Sequence, residues 1–253
     1  MAVFRARALA VAAGVPAAFA VLAAVLTVGS PAPTATAAEP EAAAPVVTLP
    51  FAVTRPSIRA EYAPMPLTYR VRTADPVAFI TIDDGVHKDA AGLRFVEERQ
   101  LPITAFVSAW TIKDRARYFE RITQWGSIQN HSATHASLER SRTDLDHEIC
   151  YSQRALARSF GARPWMIRPP YGAGSTRLDM QITAARCGVT DVVLWDAVVA
   201  DGRLSVTGAE LRPGAVVLLH FTPDLEKDLR VAVRAIRDAG LVPADLAEYR
   251  PAS

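Results

Sequence analysis

The amino-acid sequence predicts an α/β fold in which a mostly parallel sheet is flanked by helices. Three observations carry that expectation. From Pro76 onward, short β-branched runs alternate with helical stretches of ten or more residues, the pattern of strands joined by crossover helices. The run at 216–219 is apolar throughout and that at 77–82 is apolar but for Thr81, and both read as buried strands. The chemically capable side chains Asp83, Asp84, His131, Arg168, Trp195 and His220 each fall at or just past the end of such a run. In α/β barrels the active site lies at the C-terminal ends of the strands, so these groups should converge on one face whatever the strand order.

The elements follow in order. A strand over 77–82 leads to a helix over 88–99, and a strand over 103–107 to a helix over 114–125. A short strand over 127–130 delivers His131. Ser141 is placed as the N-cap of a long helix reaching Phe160, with Gly161 just past its end. A strand over 165–168 and a helix over 175–187 come next, the helix closed by Gly188 at the C′ position. Strands over 189–194, 215–220 and around 241–242 complete the sheet, with a helix over 226–239 ended by Gly240. No internal repeat is found. The domain is placed at 76–250, after a spacer and irregular lead-in over 38–75 that is rich in Ala, Pro and Thr at its start.

Composition excludes some classes of function. Lys and Arg total 28 against 26 Asp and Glu, a net charge of +2, and no long run of like charge occurs. That gives no reason to expect a nucleic-acid partner. Hydrophobic residues make up 50% of the chain, enough for a full core. The first 37 residues read as a secretory signal: Arg5 and Arg7, an uncharged apolar stretch over 9–28, then Ala35-Thr36-Ala37 as a small-x-small cleavage site. The expected location is therefore secreted or cell-wall associated, with no stable membrane anchor. The apolar stretch, at ~20 residues, is also long enough to span a bilayer uncleaved, which is the alternative. Cys150 and Cys187 are expected to pair in an oxidising compartment, two buried thiols being the other reading.

The chemistry centres on two segments. Phe79-Ile80-Thr81-Ile82-Asp83-Asp84-Gly85 ends an apolar run in adjacent carboxylates, and Asn130-His131-Ser132-Ala133-Thr134-His135 sets two imidazoles four apart. Histidines at i and i+4 share one face of a helix and can reach one metal ion. One Asp would complete three protein ligands and leave a position open for water, the arrangement of a catalytic zinc site. The other Asp would be free to act as a base. A simpler reading of the Asp pair is a cap for the following helix. His87 is close to the site in sequence, and His147 reads as helix surface.

Together with Arg168-Pro169-Pro170-Tyr171, Leu194-Trp195-Asp196 and Leu218-Leu219-His220, these segments occur in the order found in polysaccharide deacetylases. The stretch from Val77 to Tyr249 resembles the NodB homology domain of that family, carbohydrate esterase family 4. The resemblance implies a distorted (β/α) barrel with about seven parallel strands and outer helices; the sequence pattern alone leaves barrel against open sheet undecided. It implies a hydrolase that removes acetyl groups from a peptidoglycan or chitin-like glycan, with one divalent ion as cofactor; two imidazoles and a carboxylate suit zinc and leave cobalt, nickel and iron open. A monomer is expected. The resemblance implies Asp83 as base, Asp84, His131 and His135 as metal ligands, and the Tyr171 N–H as an oxyanion donor. Arg168 would orient the base, His220 would act as general acid, and Pro169, Trp195 and Leu218 would line the substrate groove.

The chain departs from the family at two places. Val86 stands where the first motif has Pro. The fourth motif has Trp, an Asp three residues on, then an Asp-Trp pair; here Trp195 is followed by Val198 and by Asp201-Gly202. Asp201 is the first candidate for the carboxylate partner of His220, and Asp196 the second. An O-acetyl esterase using the same site, and a degenerate domain that binds glycan without turnover, are the alternative functions.

Overall fold

The computed structural model describes residues 63–113 and 115–250. The signal at 1–37 and the first part of the spacer lie outside the described residues.

The first strand, β1 (Leu67–Thr68), comes from the lead-in; β2 (Val77–Asp84) follows and is buried on both faces along almost its whole length. Then come α1 (Ala90–Arg99), β3 (Ile103–Val107), α2 (Ala116–Ile122), β4 (Gly126–Asn130), a π-helical turn (Asp146–Tyr151) running into α3 (Ser152–Phe160), and β5 (Met166–Ile167). The chain continues through α4 (Leu178–Arg186), β6 (Asp191–Val193), the hairpin β7 (Ala197–Ala200) and β8 (Arg203–Val206), β9 (Ala215–His220), α5 (Leu225–Asp238), β10 (Val242–Pro243) and α6 (Leu246–Tyr249). The sheet order is β1-β6-β5-β4-β3-β2-β9-β7-β8, with β10 added to the start of β2. Every pairing is parallel except β7 with β8. The architecture is a curled, mostly parallel sheet, a half-barrel with edges at β1 and β8. No helix among the described residues is long and apolar enough to cross a membrane.

Alternation along β2 sorts the two sides of the sheet. Ala78, Ile80 and Ile82 pack with Leu93, Phe95, Val96, Leu229 and Ile236 under the outer helices. Phe79 faces inward with Phe106, Met166, Val193 and Val216. α5 buries Leu225, Leu229, Ala232, Val233 and Ile236, the i, i+4, i+7, i+8, i+11 stripe of a helix laid on a sheet.

Several boundaries differ from the sequence expectation for identifiable reasons. The helix expected from Ser141 starts at Asp146, because Asp144, not Ser141, meets its opening N–H groups: Asp144 Oδ1 accepts from His147 N at 3.1 Å. α1 is capped by Asp89, whose two carboxylate oxygens accept from Ala91 N and Gly92 N at 2.9 Å each. That leaves Asp83 and Asp84 without a capping role. α4 does end as expected. Gly188, at φ 84°, allows Val189 N to reach Ala184 O, and Gly188 N to reach Ala185 O.

Cys150 and Cys187 form a disulfide with their Cα atoms 5.3 Å apart. It ties the start of the π/α3 helix to the end of α4 across a sequence separation of 37. In the chain-entropy picture a loop of that length contributes about 3–4 kcal/mol.

Candidate active site

The site is built where strands β2, β4, β5, β6 and β9 end. Phe79, Thr81 and Asp83 share the inner face of β2, and Asp83 is 2% exposed. Regular alternation would turn Asp84 to the opposite face. Asp84 instead adopts a left-handed backbone, φ 78°, followed by Gly85 at φ 83°. Such a conformation at a non-glycine costs about 1–3 kcal/mol and persists only where its surroundings hold it. Here Lys88 Nζ donates to Gly85 O at 2.6 Å and to Thr111 O at 2.9 Å. Gly85 can be nothing larger, since a Cβ there would lie 2.7 Å from Thr111 Oγ1 and 2.8 Å from the Phe119 ring. The consequence is that both carboxylates line one cleft.

The two histidines meet for a different reason from the one the spacing suggested. Residues 131–135 are not helical. They form a loop with Ser132 at φ 70° and His135 at φ 65°. Asn130 Oδ1 accepts from Ser132 N at 2.8 Å, and Ser132 Oγ accepts from His135 N at 3.0 Å. Glu148 reaches across from the π-helical turn, its Oε2 accepting from Ala133 N and Thr134 N and its Oε1 from the Thr134 hydroxyl at 2.7 Å. Burial would raise the Glu148 carboxyl, but these hydrogen bonds outweigh it and hold it below its ordinary value. Asn130 and Glu148 shape the site without lining it, and no spacing signal in the sequence marks Glu148.

Arg168 is fully buried and spends its guanidinium on four acceptors. Nη1 donates to Asp83 Oδ1 at 2.6 Å and to Thr81 Oγ1 at 2.9 Å, Nε to Val193 O at 3.1 Å, and Nη2 to Leu194 O at 2.9 Å. Its plane lies over the Phe106 ring at 4.2 Å. Asp83 Oδ1 is therefore held, while Oδ2 points toward His131 Nε2 at 3.8 Å. His131 Nδ1 lies 2.7 Å from Arg168 O. A carbonyl only accepts, so Nδ1 carries the proton, and in the neutral ring Nε2 presents a lone pair.

That assignment tests whether a metal fits. Asp84 Oδ1 lies 3.2 Å from His131 Nε2 and 3.0 Å from His135 Nε2, yet it is buried with no hydrogen-bond partner. A carboxylate oxygen facing an imidazole lone pair is repulsive unless a proton or a metal cation lies between them. The three donors all sit within 4.8 Å of one another. Burial would raise the Asp84 carboxyl, but in the metal-free site hydrogen bonds from the two imidazoles, when protonated, outweigh it and hold it well below the ordinary carboxylate range. Asp84 in turn raises the His135 imidazole above its ordinary value. Two imidazoles and one carboxylate can hold a divalent ion, and zinc suits such mixed donors.

The cleft over this cluster has a volume of about 360 Å³ and is lined by Asp83, Asp84, His131, His135, Tyr171, Trp195, Val198, Leu218 and His220. The polysaccharide deacetylase family profile matches residues 70–192, which hold the first three motifs. A chitooligosaccharide deacetylase of Sinorhizobium fredii is 30% identical over 162 residues, 60% of this chain and 74% of that one. The chain belongs to the polysaccharide deacetylase family. An uncharacterized protein of Streptomyces coelicolor is 36% identical over 199 residues, 73% of this chain and 77% of that one. Among solved structures, a family 4 carbohydrate esterase pseudoenzyme from Bacillus anthracis shares the fold with a TM-score of 0.61 at 18% identity, over 74% of this chain and 69% of that one.

Most of the motif residues of this deacetylase-family chain are brought together, but three are not. Asp201 does not line the cleft. It is exposed at the turn of the β7–β8 hairpin, where Asp201 and Gly202 take φ 54° and 76°. Positive φ at both central residues is what a two-residue hairpin turn requires, and Asp-Gly supplies it. Asp196 does not serve His220 either, because its Oδ1 accepts from Val216 N at 2.9 Å. The residues of this segment that line the cleft with His220 are Trp195 and Val198. Pro169 is buried behind the cleft and starts the 3₁₀ turn that sets Tyr171 at φ 62°. Tyr171 packs edge-on against His135, ring centroids 4.8 Å apart. His87 is exposed and does not line the cleft. A smaller pocket of about 280 Å³ shares Tyr171 and Trp195 and adds Tyr69, a residue of the lead-in that no motif singles out.

Proposed function

We propose that this chain is a secreted, metal-dependent hydrolase that removes acetyl groups from an N-acetylated polysaccharide, either peptidoglycan or a chitin-like glycan. The observation that carries this reading is the unpartnered Asp84 Oδ1 facing two imidazole nitrogens, with Asp83 fixed beside it by Arg168. A divalent ion held by Asp84, His131 and His135, zinc by preference, supplies a polarised carbonyl and a water of lowered pKa. Asp83 takes the proton of the attacking water through Oδ2, since Oδ1 is committed to Arg168. The Tyr171 N–H donates to the oxygen on which negative charge develops. His220 gives a proton to the leaving amine. Trp195 and Leu218 form the apolar walls that receive the acetyl group and the adjoining sugar ring. The relative from Sinorhizobium fredii favours amide over ester as the bond cleaved. The apolar segment after Arg5 and Arg7 is the basis for the proposed export.

The direct test is acetate release from peptidoglycan, chitooligosaccharide and acetylxylan. Release from either N-acetylated glycan at a rate well above that from acetylxylan is expected. The reverse order would make the chain an O-acetyl esterase.

A second reading has one specific observation in its favour. Val198 lines the cleft with His220 at a position where the family carries a carboxylate; of the two nearby acids, Asp196 Oδ1 accepts from Val216 N and Asp201 is exposed at the hairpin turn. A degenerate domain that binds glycan without turnover would show this loss. The two readings separate with Val198→Asp. If the chain is a working deacetylase with a weakened acid, the variant should raise acetate release several-fold, because a carboxylate there favours protonated His220. No acetate from the parent chain and none from the variant would favour the degenerate domain.

A further inference from the structure

The cleft over the Asp–His cluster is not the largest in the described residues. A second one, of about 470 Å³, lies on the other side of the 131–135 loop. Ala133 and Thr134 line it, whereas His131 and His135 line the first. Trp110 N donates to Ala133 O at 3.0 Å, which fixes one wall to the loop. Trp110 is 53% exposed and Tyr151 43% exposed, and both face this cleft. His147 stacks on Tyr151 with ring centroids 5.0 Å apart and planes 8° from parallel, which holds the tyrosine ring in place. Lys113 and Arg158 add two positive charges, and no carboxylate is among the described lining residues.

Exposed aromatic rings gathered in one concave place mark a binding site rather than a random surface. The volume is that of a small-ligand pocket, well short of what a protein partner's interface needs. Flat aromatic faces suit the apolar face of a pyranose ring. The nearest described acid, Glu148, is turned into the 131–135 loop, where it accepts from Ala133 N, Thr134 N and the Thr134 hydroxyl and lies 3.6 Å from His147 Nδ1. Lys113 and Arg158 are left to face an anionic substituent, and Arg158 can grip a carboxylate through two parallel hydrogen bonds. We infer that this cleft is a second glycan-binding site. It takes a sugar unit bearing a carboxylate, its ring against Trp110 and Tyr151 and its carboxylate toward Lys113 and Arg158. The choice of a sugar as ligand rests on the proposed glycan substrate; the site itself takes no part in the chemistry.

The test is isothermal titration of the full chain with two probes, the disaccharide N-acetylglucosamine–N-acetylmuramic acid, which carries a carboxylate, and neutral diacetylchitobiose. Acetate is assayed in the same samples. The acidic disaccharide should bind about tenfold more tightly. Trp110→Ala and Arg158→Gln should each remove most of that preference. Neither should change the melting temperature or any acetate release from diacetylchitobiose. Equal affinity for the two probes, or unchanged binding in both variants, would overturn the inference. Preferential binding without acetate from either probe would uphold this site while removing the hydrolytic reading.

Discussion

Replacing Asp83 by asparagine is expected to lower acetate release by about 10²–10⁴-fold, the usual contribution of a general base. The substitution is chosen so that little else changes. Asparagine keeps an oxygen for Arg168 Nη1, and the guanidinium retains Thr81 Oγ1, Val193 O and Leu194 O. Asp84, His131 and His135 are untouched, so metal content by elemental analysis should match the parent. His220→Ala should also keep the ion but fail selectively. It should be impaired on the sugar amide, whose leaving group needs a proton, and largely restored on an activated aryl acetate, whose leaving group does not. Asp83→Asn should be impaired on both. If Asp83→Asn loses the ion and Asp84→Asn keeps it, the roles of the two carboxylates are reversed.

His131→Ala should abolish both metal binding and activity. His131 is 2% exposed, and its Nδ1 proton is already committed to Arg168 O, which orients Nε2 into the cluster. Removing it leaves one imidazole and one carboxylate as protein donors. Losing a partner that merely orients a ligand costs about 10–100-fold in metal affinity, so losing the ligand itself should cost more. The fold should survive, because the hydrophobic clusters on both faces of the sheet do not include this side chain. A melting curve close to the parent's together with a full complement of ion would contradict the assignment.

The sequence made the frame of this site legible because the frame depends on patterns with a fixed period. Buried strands such as β2, β3 and β9 read directly from apolar runs, and their C-terminal ends mark where Asp83, Asp84 and His220 emerge. The short pieces did not read so well. β1 and β10 are two residues each, and tertiary pairing rather than pattern makes them strands. The closeness of His131 and His135 was correctly anticipated from a helical spacing that is absent. What joins them is a loop with two left-handed residues, held by Ser132, Asn130 and Glu148. Glu148 acts over a separation of 15 residues from Ala133, which no local pattern reveals. Asp201-Gly202 carried two readings at once. As a remnant of the fourth motif it suggested a partner for His220, but the dipeptide is also a strong hairpin-turn signal, and the turn won. Without that partner, Val198 is the residue that distinguishes this cleft most sharply from the family pattern.

Acetate release by the purified domain before and after metal removal bears most directly on the proposed chemistry. The protein as isolated should release acetate from an N-acetylated oligosaccharide, lose that activity on treatment with a chelator, and regain it on addition of about one equivalent of zinc. Undiminished activity in the chelated protein, confirmed free of metal by elemental analysis, would contradict the account.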